Sequence, residues 1–394
     1  MFELPNQLNN KWKILAIISF ILFLCAIVFS LLWYFLFYLE PANSKTTIIN
    51  ANYLTTLEVP QVEPKKHEEL NKEIKKTITT TSIMFVGDIM LDRAVFYIIK
   101  KNNNDFSFPF AKITGFLASA DFRIGNLEGP ITNNKSIIKA GDANDNGGNL
   151  RFTFSPSASI PLAKNFDLLS LANNHTTNFA NDGVMQTKKY LNDAGINYFG
   201  DFYNRDQLSY IYEVSTDLKI AIVGYHQFYN GGLDNVLSEI KRIKTEKLAD
   251  LLIVYPHWGT EYLTLHPDSR QTKLAHQFVD AGADIIIGSH PHVVQPIEIY
   301  KDKPIFYSLG NFIFDQYFSK ETKEGLLLNL SIEKDDENLK TKIYFLPINI
   351  TINNQAELME EKNKKQVLDT IAINSDVSEE TKSGIKEGLL EFSF

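Results

Sequence analysis

The 394-residue chain has a single cysteine, Cys25, so no intrachain disulfide braces it. It has no excess of positive charge either, with 39 Lys and Arg against 47 Asp and Glu and a formal net charge of −8. A nucleic-acid binder is expected to show a basic face or patch, so the balance argues against that class. It also disfavours anionic ligands, unless a bound cation or a local basic cluster reverses the field near a site. No internal repeat is apparent, which argues against a repeat array. The apolar content of 44% is ordinary and supports a sizeable core.

One stretch lacks charge altogether. Ile14 to Leu39 holds no charged residue and is long enough to span a hydrocarbon core as a helix. Lys11 and Lys13 precede it, while Glu40 and Pro41 follow. This asymmetry predicts a short cytoplasmic tail (1–13), a single-pass anchor (14–39) and a chain lying mostly outside the cell membrane. Trp12 suits the inner interface, and Trp33, Tyr34 and Tyr38 the outer one. The run is longer than a usual signal-peptide core and lacks a clear small-x-small cleavage site, so it is read as uncleaved. Residues 40–80, with Pro60, Pro64 and the charged run Lys65 to Lys76, read as an extracytoplasmic stalk with one short helix from Glu68 to Lys76.

The main domain is expected over 81–354. Short apolar runs predict strands at Ile83–Val86, Phe122–Ile124, Leu168–Leu171, Ile220–Val223, Leu251–Tyr255, Ile285–Ile287 and Ile305–Tyr307. Val184, Leu191 and Ala194 recur at helical spacing ahead of Gly195, as do Leu274, Phe278 and Ala281 ahead of Gly282. This alternation implies βαβ units and a mostly buried sheet. Leu326–Ile332 and Thr341–Leu346 form a hairpin around Asp335-Asp336-Glu337-Asn338. The charged tail 355–394 is expected to be helical and peripheral.

Residues of metal-ligand type follow several of these strands. They are Asp88 in Gly-Asp-Ile-Met, Glu128 in Gly-Asn-Leu-Glu-Gly, Asn174 and His175 in Asn-Asn-His, His257 in Pro-His-Trp-Gly, and His290 and His292 in Gly-Ser-His-Pro-His. Loops at the carboxyl edge of a sheet converge where open α/β folds place ligands. Imidazoles with carboxylates suit Mn, Zn or Fe. In Gly288–His292 the glycine permits a sharp turn, and residues two apart in an extended segment point the same way.

The candidates have plainer readings: two loop histidines, a hydrogen-bonded His257, Asp88 capping the helix that begins near Arg93, Glu128 as a solvated turn glutamate, and turn-forming Asn173 and Asn174. Asp142 to Gly147 resembles the start of a calcium loop, but its twelfth position is Thr153 rather than Glu, so an ordinary loop is expected. His226, His266 and His276 have no partnered spacing, and His276 is read as a helix-face residue.

The blocks Gly87-Asp88-Ile89-Met90-Leu91, Asn126-Leu127-Glu128-Gly129-Pro130, Ala172-Asn173-Asn174-His175, His257-Trp258-Gly259-Thr260-Glu261-Tyr262, Gly288–His292 and Tyr307-Ser308-Leu309-Gly310-Asn311-Phe312 occur in order. Over about Ile83 to Gln316 the chain resembles the CapA (PgsA) family of capsule and poly-γ-glutamate biosynthesis proteins, which is similar in turn to calcineurin-like metallophosphoesterases.

The resemblance implies an α/β fold, a metallophosphatase-like sandwich of two mixed β-sheets flanked by helices (α/β/β/α) and preceded by one transmembrane helix. It places Asp88, Glu128, Asn174, His257, His290 and His292 as ligands of one or two divalent ions, and His175 as the catalytic histidine. Met90 stands where the wider superfamily has a metal-binding histidine, and Ser289 where many relatives have another. The implied role is synthesis or export of an anionic capsule polymer, with synthase or export subunits as partners. A metal-dependent hydrolase and a non-catalytic cell-wall binding domain remain open alternatives.

Overall fold

The computed structural model describes residues 78–137, 150–335 and 338–394. The expected tail and span, almost all of the stalk, and Asp142 to Gly147 lie outside these residues. Among the described residues, no helix is long and apolar enough to cross a membrane.

In chain order the strands are β1 (Ile78–Ile89), β2 (Phe122–Leu127), β3 (Leu168–Ser170), β4 (Asn197–Phe199), β5 (Ser209–Glu213), β6 (Lys219–His226), β7 (Leu251–His257) and β8 (Ile285–Ile287). They continue as β9 (Ile297–Tyr300), β10 (Lys303–Phe306), β11 (Asn311–Ile313), β12 (Glu324–Asp335), β13 (Asn338–Ile350), β14 (Ala356–Leu358) and β15 (Leu389–Ser393). The longer helices are α1 (Arg93–Lys101), α2 (Ala180–Asp193), α3 (Leu233–Thr245), α4 (Ser269–Ala281), α5 (Glu361–Asn374) and α6 (Glu379–Glu387). Each of the seven expected strands overlaps an observed one. β1 starts three residues earlier than the expected domain boundary, because Ile78, Thr79 and Thr80 pair with β12.

Two mixed sheets result. One runs β14-β13-β12-β1-β2-β3-β4, with β11 on β1 and β15 on β13, and the other runs β5-β6-β7-β8-β10-β9. Strand alternation fixes the layering. Ile83 and Phe85 of β1 face a core shared with Ile220, Ile222 and Ile253 of the second sheet. Met84 and Val86, on the opposite face of β1, pack with Val95 and Ile99 of α1 and Leu191 of α2. Ala221, Val223 and Val254 pack outward with Val236 and Ile240 of α3 and Leu274 and Phe278 of α4. Strands buried on both faces read as continuous apolar runs rather than as alternation, which is why they were legible as runs.

The tail departs from expectation. Residues 355–394 are not peripheral: Val367, Leu368, Ile371 and Ala372 of α5 and Ile385 of α6 belong to the core that contains both sheets' inner faces. β15 pairs with β13, and Ser375 Oγ accepts the Ile297 amide at 2.8 Å. The many charged residues lie on the exposed helix faces and masked this amphipathic pattern.

Four aspartates punctuate the amino ends of parallel strands. Asp121, Asp167, Asp250 and Asp284 stand immediately before β2, β3, β7 and β8. Each accepts the backbone N–H of a residue on the neighbouring strand: Ser82, Arg123, Lys219 and Leu252 respectively, at 2.8–2.9 Å.

Candidate metal centre

The carboxyl ends of β1, β2, β3, β7 and β8 meet at one place, drawing on both sheets. Asp88 sits at the end of β1, where the pairing register shifts and the Asp88 amide donates to Gly310 O at 3.2 Å. Glu128 follows β2, Asn174 and His175 follow β3, His257 ends β7, and His290 and His292 follow β8. Asp88, Glu128, His257, His290 and His292 are all buried. The structure brings together all seven residues singled out from sequence.

Asp88 is wired into the fold from two sides. Asn126 Nδ2 donates to its Oδ1 at 2.8 Å, and the His290 amide donates to its Oδ2 at 3.1 Å. Asn173 in turn donates to Asn126 Oδ1 at 3.0 Å and to Leu127 O at 2.9 Å, while its own oxygen accepts from the His175 amide and Thr176 Oγ1. Asn173 is therefore the turn-forming asparagine. Asn174 is the one that enters the site, with Oδ1 at 2.9 Å from His257 Nε2. Asp88 does not cap α1, since the Arg93 amide is capped by Asp92 at 2.7 Å.

The loop after β8 is built under constraint. At Gly288 a Cβ would come within 2.1 Å of Tyr307 O, so only glycine fits. His290 and His292 adopt φ of 95° and 59°, left-handed values that are uncommon for residues with a Cβ. The two imidazoles therefore converge through backbone strain, not through the alternation of an extended segment. Such strain costs on the order of 1–3 kcal/mol per residue and concentrates at functional sites.

Distances define the cluster. His257 Nε2 lies 3.0 Å from His290 Nδ1, and His292 places Nδ1 3.2 Å from Asp88 Oδ2 and Nε2 3.5 Å from Glu128 Oε1. Asn311 Oδ1 is 3.0 Å from His292 Nδ1, and His257 Nδ1 is 3.1 Å from Ser289 Oγ. His175 is at the rim, its Nε2 3.9 Å from Glu128 Oε1, with its ring against Phe152 at 4.5 Å between centroids. Phe228 packs on His290 at 4.3 Å and is partly exposed, so an aromatic wall flanks the mouth.

The electrostatics are unbalanced. Both carboxylate oxygens of Glu128 are buried and have no hydrogen-bond partner. Burial, and then the neighbouring Asp88 carboxylate, push the Glu128 carboxyl well above its usual range. Burial, reinforced by neighbouring imidazoles, holds His257 and His290 well below the ordinary histidine value. His175 is pushed down to about 4 by burial. These neutral imidazoles offer lone pairs, not positive charge. Among the described residues, the ion-pair contacts of Asp88 and Glu128 are to histidines, not to lysine or arginine.

A divalent cation fits this donor set. Single donor atoms from Glu128, His257 and His290 lie within 4.8 Å of one another, as do those from Asp88, Glu128 and His292. Donors about 2.1 Å from one ion lie up to about 4.2 Å apart, so small adjustments would close either trio. A buried unpaired carboxylate is costly, and a cation would compensate it. His257 Nδ1 is held by Ser289 Oγ and Asn126 Nδ2, each at 3.1 Å, outer partners of the kind that orient a metal-bound imidazole. Met90 is not a donor to the cluster: it is buried, and its Sδ lies 3.2 Å from the Asp92 amide.

Other features had no assigned role in the sequence reading. Asn126 and Asn311 orient Asp88 and His292, and their presence in the ordered blocks was the available signal. Arg93 forms a buried ion pair with Asp315 and faces the Phe152 and Phe314 rings at 5.6 and 5.2 Å. It lines a cavity of about 600 Å³ together with Tyr97, Lys100 and Lys135. Nothing local marked Phe228. Of the remaining histidines, His276 lies on α4 and contacts Glu298 Oε1 at 2.7 Å, as a helix-face residue would. His226 is buried and bonded to Phe202 O.

Fold and site together define a two-sheet α/β protein with a buried carboxylate–imidazole centre. Residues 82–316 match the family described as bacterial capsule synthesis protein PGA_cap. The chain is 33% identical over 308 residues to capsule biosynthesis protein CapA of Bacillus anthracis, covering 73% of this chain and 70% of that protein. It is 32% identical over 270 residues to PGA biosynthesis protein CapA of Bacillus subtilis, covering 64% and 68%. Among solved structures, the calcineurin-like phosphoesterase YfkN of Bacillus subtilis aligns with 17% identity and a TM-score of 0.40, over 79% of this chain and 96% of that one. The chain belongs to the PGA_cap capsule synthesis family.

Proposed function

We propose that this protein acts in the synthesis or export of an anionic capsule polymer such as poly-γ-glutamate. In this reading it is held at the outer face of the cell membrane by residues 14–39 and carries a phosphoesterase-like metal centre. The observation that carries the metal reading is the burial of Asp88 and Glu128 among imidazoles, with no lysine or arginine paired to either among the described residues. Family membership supports the capsule role, and the uncharged run Ile14 to Leu39 supports the anchor.

Asp88, Glu128, Asn174, His257, His290 and His292 would hold one or two divalent ions, with Mn, Zn or Fe suited to the donor mixture. When bound, such an ion polarises an ester or amide and lowers the pKa of its water. His175, at the rim and beside Glu128, is read as the group that protonates a leaving oxygen, a role in which an anionic substrate beside it would have to raise its proton affinity above the lowered value set by burial. The cavity lined by Lys100 and Lys135 offers an anionic chain local positive charge that the overall charge of −8 does not.

Deleting the gene should abolish surface polymer. His257→Ala should fail to restore it and should lower the metal content of the purified chain. Full restoration by His257→Ala, with unchanged metal content, would sink the metal reading. The position of His175 favours a second reading, in which the centre hydrolyses a phosphoester or a polymer linkage. Turnover of a generic phosphodiester with added Mn or Zn, lost in His175→Ala, is its expected signature. No turnover with any ion, and full polymer with His175→Ala, would leave a binding or assembly role.

A further inference from the structure

The centre has a seventh donor, which the sequence blocks contain but to which no role was given. One carboxylate oxygen of Glu261 and one nitrogen each of His290 and His292 lie within 4.8 Å of one another. Glu261 is exposed, whereas the two histidines are buried, so this trio faces the open side of the centre. His292 is common to this trio and to that of Asp88 and Glu128, while His290 is common to it and to that of Glu128 and His257.

The placement is not that of a free surface side chain. The segment from Trp258 to Tyr262 is fastened to the loop after β8 at both ends. The Trp258 amide donates to Ser289 O at 3.1 Å, and the Tyr262 amide donates to Pro291 O at 2.8 Å. Pro291 is the residue between the two histidines, so the second bond sets Glu261 directly beside them. Trp258 is buried, and its Nε1 donates to Tyr307 O at 2.9 Å. Between the two anchors the chain turns at Gly259, with φ of 94° and no room for a Cβ, which would meet the Gln271 amide at 2.3 Å. Tyr262 has φ of 64°, and its hydroxyl accepts from Gln316 Nε2 at 3.0 Å. Two left-handed residues and two cross-loop bonds hold one carboxylate over a histidine pair.

Met90 does not contribute a donor, since its sulfur lies against the Asp92 amide. The unpartnered oxygens of Glu128 are an independent sign that the centre is built around a cation. We propose that Glu261 is a metal ligand, joining His290 and His292 from the solvent side. The inference rests on the metal-centre reading above and extends it to a carboxylate outside that donor set.

The test uses the full-length chain in detergent, with Co²⁺ as the probe. Affinity is measured by titration, and coordination by the visible absorption of the bound ion. Glu261→Gln keeps the size of an exposed side chain, so the variant should fold, and the far-UV spectrum of the metal-free protein verifies this. The expected result is a loss of about tenfold or more in Co²⁺ affinity, since even outer partners of a metal site are worth 10- to 100-fold, together with an altered absorption band. Glu261→Asp, which retains the carboxylate on a shorter stem, should fall between the two. If wild type and Glu261→Gln bind Co²⁺ with the same affinity and the same spectrum while His290→Ala does not bind, the role of Glu261 is overturned and the metal centre stands. If the wild-type chain takes up no Co²⁺, Mn²⁺ or Zn²⁺, both readings fall together.

Discussion

The two ends of the parallel strands treat their acidic side chains in opposite ways. At the amino ends, Asp167, Asp250 and Asp284 each have a backbone amide and at least one full cation. Asp284 holds Lys244 at 2.7 Å and Lys303 at 3.1 Å, Asp250 holds Lys334 at 2.5 Å, and Asp167 holds Arg123 at 2.8 Å. At the carboxyl ends, Asp88 and Glu128 are more deeply buried, and among the described residues their ion-pair contacts are to His175, His257 and His292, with no lysine or arginine. A carboxylate withdrawn from water needs a cation or several donors. The amino ends supply full cations, whereas at the carboxyl ends Asp88 has two N–H donors and Glu128 has neither a hydrogen bond nor a paired lysine or arginine among the described residues.

The comparison can be broken at either end. The largest stability loss is expected for Asp284→Ala, which strands the Leu252 amide and two lysines, at about 3 kcal/mol in denaturant unfolding. That loss should be the same with and without divalent metal. Glu128→Gln should change the stability of the metal-free protein little, because burial and the neighbouring Asp88 already favour the uncharged carboxyl there, while weakening metal affinity. A metal-free Glu128→Gln chain destabilised as much as Asp284→Ala would erase the distinction drawn here.

A smaller effect sharpens the comparison at the edge of the site. Burial holds His226 down to about 4, and the Phe228 amide lies 3.3 Å from its Nδ1. The unfolded chain takes up a proton near the ordinary value of about 6.5, whereas the folded chain does so only near 4. Stability should therefore fall as pH drops from about 6.5 toward 4, by up to about 1.4 kcal/mol per unit from this group alone. His226→Asn should flatten that slope in urea titrations across the window, and an unchanged slope would refute the assignment. The smallest effect is expected on the surface. Lys189→Ala removes an exposed helical pair with Asp193 and should leave stability essentially unchanged, against which the buried changes can be read.

Much of the strand framework was legible because β1, β6, β7 and β8 are apolar on both faces, and a run of such residues survives any register. The hairpin of β12 and β13 was legible from its polar turn, and α2 and α4 from their periodicity. The tail was misjudged because α5 and α6 bury few residues among many charges, and their contribution to the core depends on strands far away in sequence. The convergence of His290 and His292 was foreseen for the wrong reason, since left-handed backbone at both residues is a property of the packed loop.

The residue types of the centre came from the chain itself: carboxylates, imidazoles and an asparagine placed just after strands that must be buried. Which asparagine turns the loop and which enters the site, that Asn126 and Asn311 orient the donors, and that Glu261 stands over the histidine pair were decided only by folding. These depend on distances between residues tens to hundreds of positions apart. Local pattern encodes burial and turn chemistry, whereas the balance of charge in a dry site is set by which distant side chains the packed sheets bring within a few ångströms.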